Sequence, residues 1–200
     1  MKLYRDETIM KIILASSSPR RRELLAMAGF TFDVIPADID ESASPNTPPD
    51  ELVAFLSEKK AMHIWHTRHT HQNANNIIIG ADTIVAIDGL ILGKPSDEAD
   101  AFLMLKRLQG RAHTVYTGVT VVAKGKADTF VEHTKVYMRS LTDKEIHDYI
   151  QTGEGVDKAG AYGIQERGAV LIERVEGDYF TVVGLPLCRL NLALQKLKEL

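Results

Sequence analysis

Residues 77–87 read IIIGADTIVAI, and the Asp88-Gly89 pair that follows turns the chain back through residues 90–92, LIL. A β-branched, nearly continuous apolar run without helical period is the pattern of a strand buried on both faces. Asp-Gly between two such runs is a two-residue hairpin signal. One carboxylate, Asp82, interrupts the run. A carboxylate in buried surroundings needs a cation, a metal or a set of donors. Asp82 is therefore either a hydrogen-bonded aspartate fixing a turn or part of a site. Its hard oxygens suit Mg²⁺ or Mn²⁺, ions that bridge protein carboxylates to phosphate oxygens.

Working outward, residues 11–15 (KIILA) predict a short buried strand. Ser16, Ser17 and Ser18 then precede Pro19, a helix start with a serine N-cap and proline at the first helical position. Leu24, Leu25 and Ala28 continue that helix, and Gly29 stops it. Residues 32–35 predict a second strand, and 36–50 a polar loop holding Asp38, Asp40 and Glu41. An amphipathic helix is expected from about Pro49 towards His69. Beyond the central hairpin, 97–108 reads as a helix ended by Gly110. Residues 114–123 and 129–139 read as paired strands around Lys124-Gly125-Lys126. Thr142 and Glu145 form a capping box for a helix to Gln151. Residues 170–175 and 179–183 predict a last hairpin through Gly177-Asp178. Pro186 opens a C-terminal helix with Leu187, Leu190, Leu194 and Leu197 on one face. Helices and strands interleave, and several strands are hairpin-joined, which predicts an α/β fold on a mixed sheet.

Composition narrows the function classes. The 200 residues carry 24 Lys plus Arg against 27 Asp plus Glu, a net charge of −3. That balance excludes a polybasic nucleic-acid coat. Cys188 is the sole cysteine, so neither an intrachain disulfide nor a cysteine-rich zinc module is expected. The longest apolar runs fall far short of a bilayer span, and residues 1–10 lack the apolar core of a signal peptide. A soluble, cytoplasmic protein with no membrane partner is expected.

Arg20, Arg21 and Arg22 sit in the first turn of the helix opened by Pro19. The N-terminus of a helix already carries partial positive charge. Three cations there make sense if an anion binds the free N–H groups, serine hydroxyls and guanidinium forks together. The plainer alternative is a solvated basic turn. Lys94-Pro95 follows a glycine and precedes a helix, so its ammonium could reach the same anion. It is not a P-loop: residues 89–94 are one spacer short, and Pro95 replaces the hydroxyl residue. Residues 157–165 (DKAGAYGIQ) are rich in small residues, which permits close backbone approach to a ligand. His63, His66, His69 and His71 lack the His-Glu-x-x-His pattern and read as a solvated helix end. Ser57-x-x-Lys60 lies mid-helix without its Lys-Thr-Gly companion, which argues against serine hydrolase chemistry.

Taken in order, residues 14–21 (LASSSPRR), 80–83 (GADT), 93–95 (GKP), 157–165 (DKAGAYGIQ) and 184–186 (GLP) resemble the Maf family of nucleoside triphosphate pyrophosphatases. The resemblance implies a strongly twisted mixed sheet with flanking helices, in two lobes around a central cleft, akin to inosine triphosphate pyrophosphatases. It implies one domain over 11–200 with an N-terminal extension at 1–10, and a homodimer. The reaction implied is cleavage of a nucleoside triphosphate between its α- and β-phosphates, with Mg²⁺ or Mn²⁺ as cofactor. Asp82 matches the proton acceptor that activates water, and Glu41 and Asp82 match the acidic positions near the metal. Ser16, Arg20, Arg21, Lys60, Lys94 and Lys158 match positions that line the phosphate and nucleotide cleft.

Arg20, Thr83 and Gln165 match the subfamily acting on dTTP and UTP, which extends to modified pyrimidine nucleotides. The 7-methyl-guanosine triphosphate subfamily has a bulky aromatic and an acid in place of that Arg and Gln. A glutamine amide offers both donor and acceptor to the imide edge of uracil or thymine. Two alternatives stay open: a nucleotide-binding regulator of septum formation, from which the family takes its name, and an inosine or xanthosine triphosphate scavenger.

Overall fold

The computed structural model describes residues 11–42, 44, 47–68 and 76–198. The expected extension at 1–10, His69, His71 and the side chain of Leu197 lie outside the described residues. The strands are β1 (Lys11–Ala15), β2 (Phe32–Val34), β3 (Asn76–Ile87), β4 (Leu90–Leu92), β5 (Ala112–Ala123), β6 (Lys126–Met138) and β7 (Ile172–Glu176). The helices are α1 (Pro19–Met27), α2 (Pro49–Arg68), α3 (Glu98–Leu108), α4 (Asp143–Ile150), α5 (Tyr179–Val183) and α6 (Leu187–Lys198). The expected capping box is present at α4, where Thr142 accepts from the Glu145 N–H and Glu145 accepts from the Thr142 N–H.

All strands join one seven-stranded sheet in the order β2-β1-β3-β5-β6-β7, with β4 attached to β3. β1 runs parallel to β2 and β3, and the other pairs are antiparallel. This is the mixed α/β sheet that the interleaved pattern predicts. β3 is its pivot. One edge pairs with β5 from Ile77 to Ala86. The opposite edge is shared: β1 ends where Ala15 pairs with Gly80, and β4 runs from Leu90 opposite Ile87 to Leu92 opposite Val85. Residues 81–84 lie between them, flanked by neither strand on that edge. A crevice beside the carboxyl end of a parallel strand, where neighbours diverge, is where open α/β sheets bind ligands.

Burial on both faces explains the continuous apolar run. Ile77, Ile79 and Ala81 pack with Leu24, Leu25, Val183, Leu185 and Leu190 from the α1, α5 and α6 side. Ile78 packs with Ala61, Ile64 and Trp65 of α2 on the other. Strand residues alternate between faces, so Asp82 falls on the α2 face and Thr83 on the α1/α5 face.

The expected last hairpin is wrong in its second arm. Residues 172–176 are the strand β7, but 179–183 form the helical turn α5. The β-branched Thr181, Val182 and Val183 read as a strand. Asp178 decides otherwise, because its carboxylate accepts from the N–H groups of Phe180 and Thr181 as an N-cap. Gly184, at φ 117°, supplies the left-handed stop.

Candidate active site

The α2 face of β3 is built by close backbone approach. Gly80 and Gly118 lie beneath α2, and a Cβ on either would run into the carbonyl oxygen of Ser57 or Val53. Gly118 is the residue paired with Asp82 across the β3–β5 ladder. With the helix this low on the sheet, Lys60 reaches Asp82, its Nζ donating to Oδ1 at 2.6 Å. The same ammonium lies 2.8 Å from Glu41 Oε1, in the loop after β2. Lys60 and Asp82 are both buried, at 8% and 7% exposure. Burial works against the Glu41 charge, but the Lys60 hydrogen bond, with Lys60, Lys94 and Arg21 nearby, outweighs it and holds the carboxyl below its usual pKa. Ser57 is spent on packing, bonded to the Ala54 carbonyl and to Thr120 Oγ1 at 2.9 Å each.

The opposite face carries a hydroxyl chain. Arg21 donates from Nη2 to Thr83 Oγ1 at 2.9 Å, Thr83 meets Thr117 Oγ1 at 2.9 Å, and Thr117 donates to the Thr181 carbonyl at 2.8 Å. Arg21 also donates to the Gly184 carbonyl at 2.9 Å and to Ser16 Oγ at 3.3 Å. Burial lowers the pKa of Arg21, with Asp82 opposing. The three arginines expected at one anion site therefore diverge. Arg21 turns inward, Arg20 pairs with Asp157 at 2.9 Å, and Arg22 is exposed. Ser18 is the N-cap of α1 but makes no side-chain capping bond; Ser16 Oγ accepts the Ser18 N–H instead.

The remaining wall is the 157–165 segment. It is tied to the loop after β4 by the Gly160 N–H donating to the Gly93 carbonyl at 3.0 Å. From behind, His113 Nε2 meets the Tyr162 hydroxyl at 2.7 Å, and Tyr149 accepts from the Gly163 N–H at 3.0 Å. Lys158 donates to the Glu154 carbonyl and lies 2.9 Å from Asp157.

These parts enclose a cleft of ≈530 Å³, within the usual range for small-molecule sites. Ser16, Arg20, Arg21, Glu41, Lys60, Asp82, Thr83, Lys94, Lys158 and Gln165 all line it. All the expected site residues thus converge, from segments spread over most of the chain. His63 and His66 line no part of it. Sequence reasoning missed Asp157, Thr117 and Thr181, which hold the wall rather than form an obvious motif. Asp157 stands inside the quoted DKAGAYGIQ stretch, so its charge beside Lys158 was the available signal.

The donor set fits an oxygen-seeking divalent ion. Asp82 and Glu41 already converge on one point of positive charge, the Lys60 ammonium. Among the described residues no group of three or more His, Cys, Asp or Glu could cage a metal. Two carboxylates, with the other positions left to phosphate and water, are the usual arrangement for Mg²⁺.

Comparison with known proteins finds a matching family and close relatives. The family model described as Maf-like protein matches residues 11–197. A protein of Thermoanaerobacter sp. (strain X514), named dTTP/UTP pyrophosphatase, is 53% identical over 184 residues, 90% of this chain and 93% of its own. Proteins of the same name from Caldicellulosiruptor saccharolyticus and Bacillus pumilus are 48% and 49% identical, covering 94% and 90% of this chain and 94% and 92% of theirs. Among solved structures, the Staphylococcus aureus Ham1 protein aligns with a TM-score of 0.39 at 16% identity, covering 64% of this chain and 71% of that one. That likeness is too loose to bear on the fold, which stands on the sheet itself. With the model matched across the whole cleft and relatives near 50% identity, the chain belongs to the Maf family.

Proposed function

We propose that this protein is a nucleoside triphosphate pyrophosphatase that hydrolyses dTTP and UTP to the monophosphate and diphosphate. The observation that carries the reading is the row Glu41–Lys60–Asp82 at the cleft, facing Arg21, Lys94 and Lys158. Relatives named for this activity align over nine-tenths of the chain.

In this reading Asp82 takes a proton from water as the water oxygen attacks the α-phosphorus. The bond from that phosphorus to its bridging oxygen breaks, and diphosphate leaves with the electron pair. Lys60, Lys94, Lys158 and Arg21 meet the charge on the phosphate oxygens, the main demand of phosphoryl chemistry. Glu41 and Asp82 would hold Mg²⁺ or Mn²⁺, which when bound neutralises phosphate charge and polarises the phosphoryl group. Gln165, exposed on the 157–165 wall, offers its amide to the imide edge of uracil or thymine. Substituents at carbon 5 leave that edge intact, so modified pyrimidine nucleotides belong to the same substrate class. Thr83 influences substrate choice through Arg21, because its hydroxyl already bonds to Arg21 and Thr117.

No helix among the described residues is long and apolar enough to cross a membrane. The exposed lone Cys188 suits a reducing compartment, so the reading includes a cytoplasmic location, and the family resemblance adds a homodimer. The test is a nucleotide panel with Mg²⁺ or Mn²⁺, assayed for diphosphate. Preference for dTTP and UTP is expected. Binding without turnover on any nucleotide would favour a regulator of septum formation, and preference for inosine or xanthosine triphosphate a scavenger.

A further inference from the structure

Arg20 and Arg21 are neighbours in the first turn of α1, yet the fold uses them in opposite ways. Arg21 spends its donors on three neutral acceptors, the Gly184 carbonyl and the hydroxyls of Thr83 and Ser16. Its charge has no hydrogen-bonded carboxylate among the described residues. Arg20 is the reverse. Its charge is met by Asp157, and Nη1 makes its one hydrogen bond among the described residues, leaving the rest of the guanidinium fork free. Asp157 divides its two oxygens, Oδ2 to Arg20 and Oδ1 to Lys158, each at 2.9 Å. All three side chains line the same cleft as Gln165.

This ion pair is partly solvated, with side-chain exposures of 24% for Arg20 and 55% for Asp157. Pairs of that kind add little stability, so what this one supplies is placement. A phosphate brought to Arg20 would also approach the Asp157 carboxylate, which offsets part of the attraction. A neutral carbonyl would meet free donors and no such penalty.

We infer that Asp157 is a positioning residue for substrate choice, fixing Arg20 and offsetting part of its charge so that Arg20 reads a ring carbonyl rather than a phosphate. The inference rests on the pyrimidine triphosphatase reading above and names a determinant within it. Uracil and thymine present a carbonyl oxygen at carbon 4, where cytosine presents an amino group. A donor-rich fork held against that position accepts the first two and refuses the third.

The test compares kcat/KM for UTP and CTP, with Mg²⁺, in the full-length protein and in Asp157→Asn. A wild-type protein that hydrolyses neither nucleotide, or does not prefer UTP, overturns the functional reading. Given that preference, Asp157→Asn is expected to lower the UTP-to-CTP ratio about tenfold, the discrimination of one good base contact. The loss should fall mainly on KM for UTP, and Asp157→Glu should restore part of it. An unchanged ratio, including one in which both nucleotides gain or lose by the same factor, overturns the inference. If Asp157→Asn fails to fold by thermal unfolding, Arg20→Lys carries the test. It keeps the charge pair but loses the fork, and the same drop in ratio is expected.

Discussion

Asp82 and Thr83 are adjacent on β3 and face opposite sides of the sheet, and the two sides of the cleft are made by different means. On the Asp82 side, α2 lies on Gly80 and Gly118 with no room for a Cβ, and that backbone approach delivers Lys60 to Asp82. On the Thr83 side the wall is strung on hydrogen bonds: Thr83, Thr117 and Thr181 in one chain, Tyr149 and Tyr162 under the 157–165 segment. Asp82 and Lys60, the pair proposed to meet the reacting phosphorus, sit on β3 and α2 in a packed sheet, where small displacements are costly. Gln165, proposed to read the base, sits on the 157–165 segment, outside the strands of the sheet.

Four changes would break or sharpen that contrast. The largest effect is expected from Asp82→Asn, which should lower kcat for diphosphate release about a thousandfold while circular dichroism stays native. Next comes acid. His113, 3% exposed, is held by burial at a pKa of about 4, below the ordinary 6.5. Between those values the unfolded chain takes up a proton at this residue and the folded chain does not. Stability is therefore full above pH 6.5 and falls as the pH drops towards 4, by about 3 kcal/mol from this residue. Denaturant titrations of wild type and His113→Gln across that window should differ by this slope. Equal slopes would free the hydrogen-bonded wall from its dependence on a neutral imidazole.

Gly80→Ala should cost about 2 kcal/mol of stability by forcing α2 off the sheet, and kcat should fall for every nucleotide alike. A variant with native thermal stability and activity would show that backbone approach does not set the Asp82 side. The smallest effect belongs to Gln165→Glu. It should reduce kcat/KM for UTP and dTTP about tenfold with little change in affinity for the triphosphate group. Equal losses on all nucleotides would remove Gln165 from base reading.

The sheet was legible because its signals are local. KIILA, IIIGADTIVAI and the Asp88-Gly89 turn each carry their own pattern, and the structure places them within a residue or two of expectation. The cleft-lining residues were legible through motifs that contain Arg20, Asp82 and Gln165, and through the family resemblance for Lys60, without a sign of how they meet. What the motifs left out is relational. That Lys60 serves both Glu41 and Asp82 follows from how low α2 rides on two glycines, and nothing within α2 announces it. That Arg20 and Arg21 part company depends on Asp157 and Gly184, far along the chain. The short helix α5 escaped notice because its β-branched residues favour strand, and a single N-cap carboxylate outweighs them.

The bond from Arg21 to the Gly184 carbonyl joins residues 163 positions apart. During synthesis, Asp82, Lys60 and Glu41 emerge long before Gly184 does. Until then Arg21 lacks one of its anchors, and the wall that α5 completes does not exist. Domains fold as units, so a chain still tethered to the ribosome holds the reactive groups of the site without its enclosure. The cleft is therefore enclosed only once Gly184 has emerged and α5 has formed.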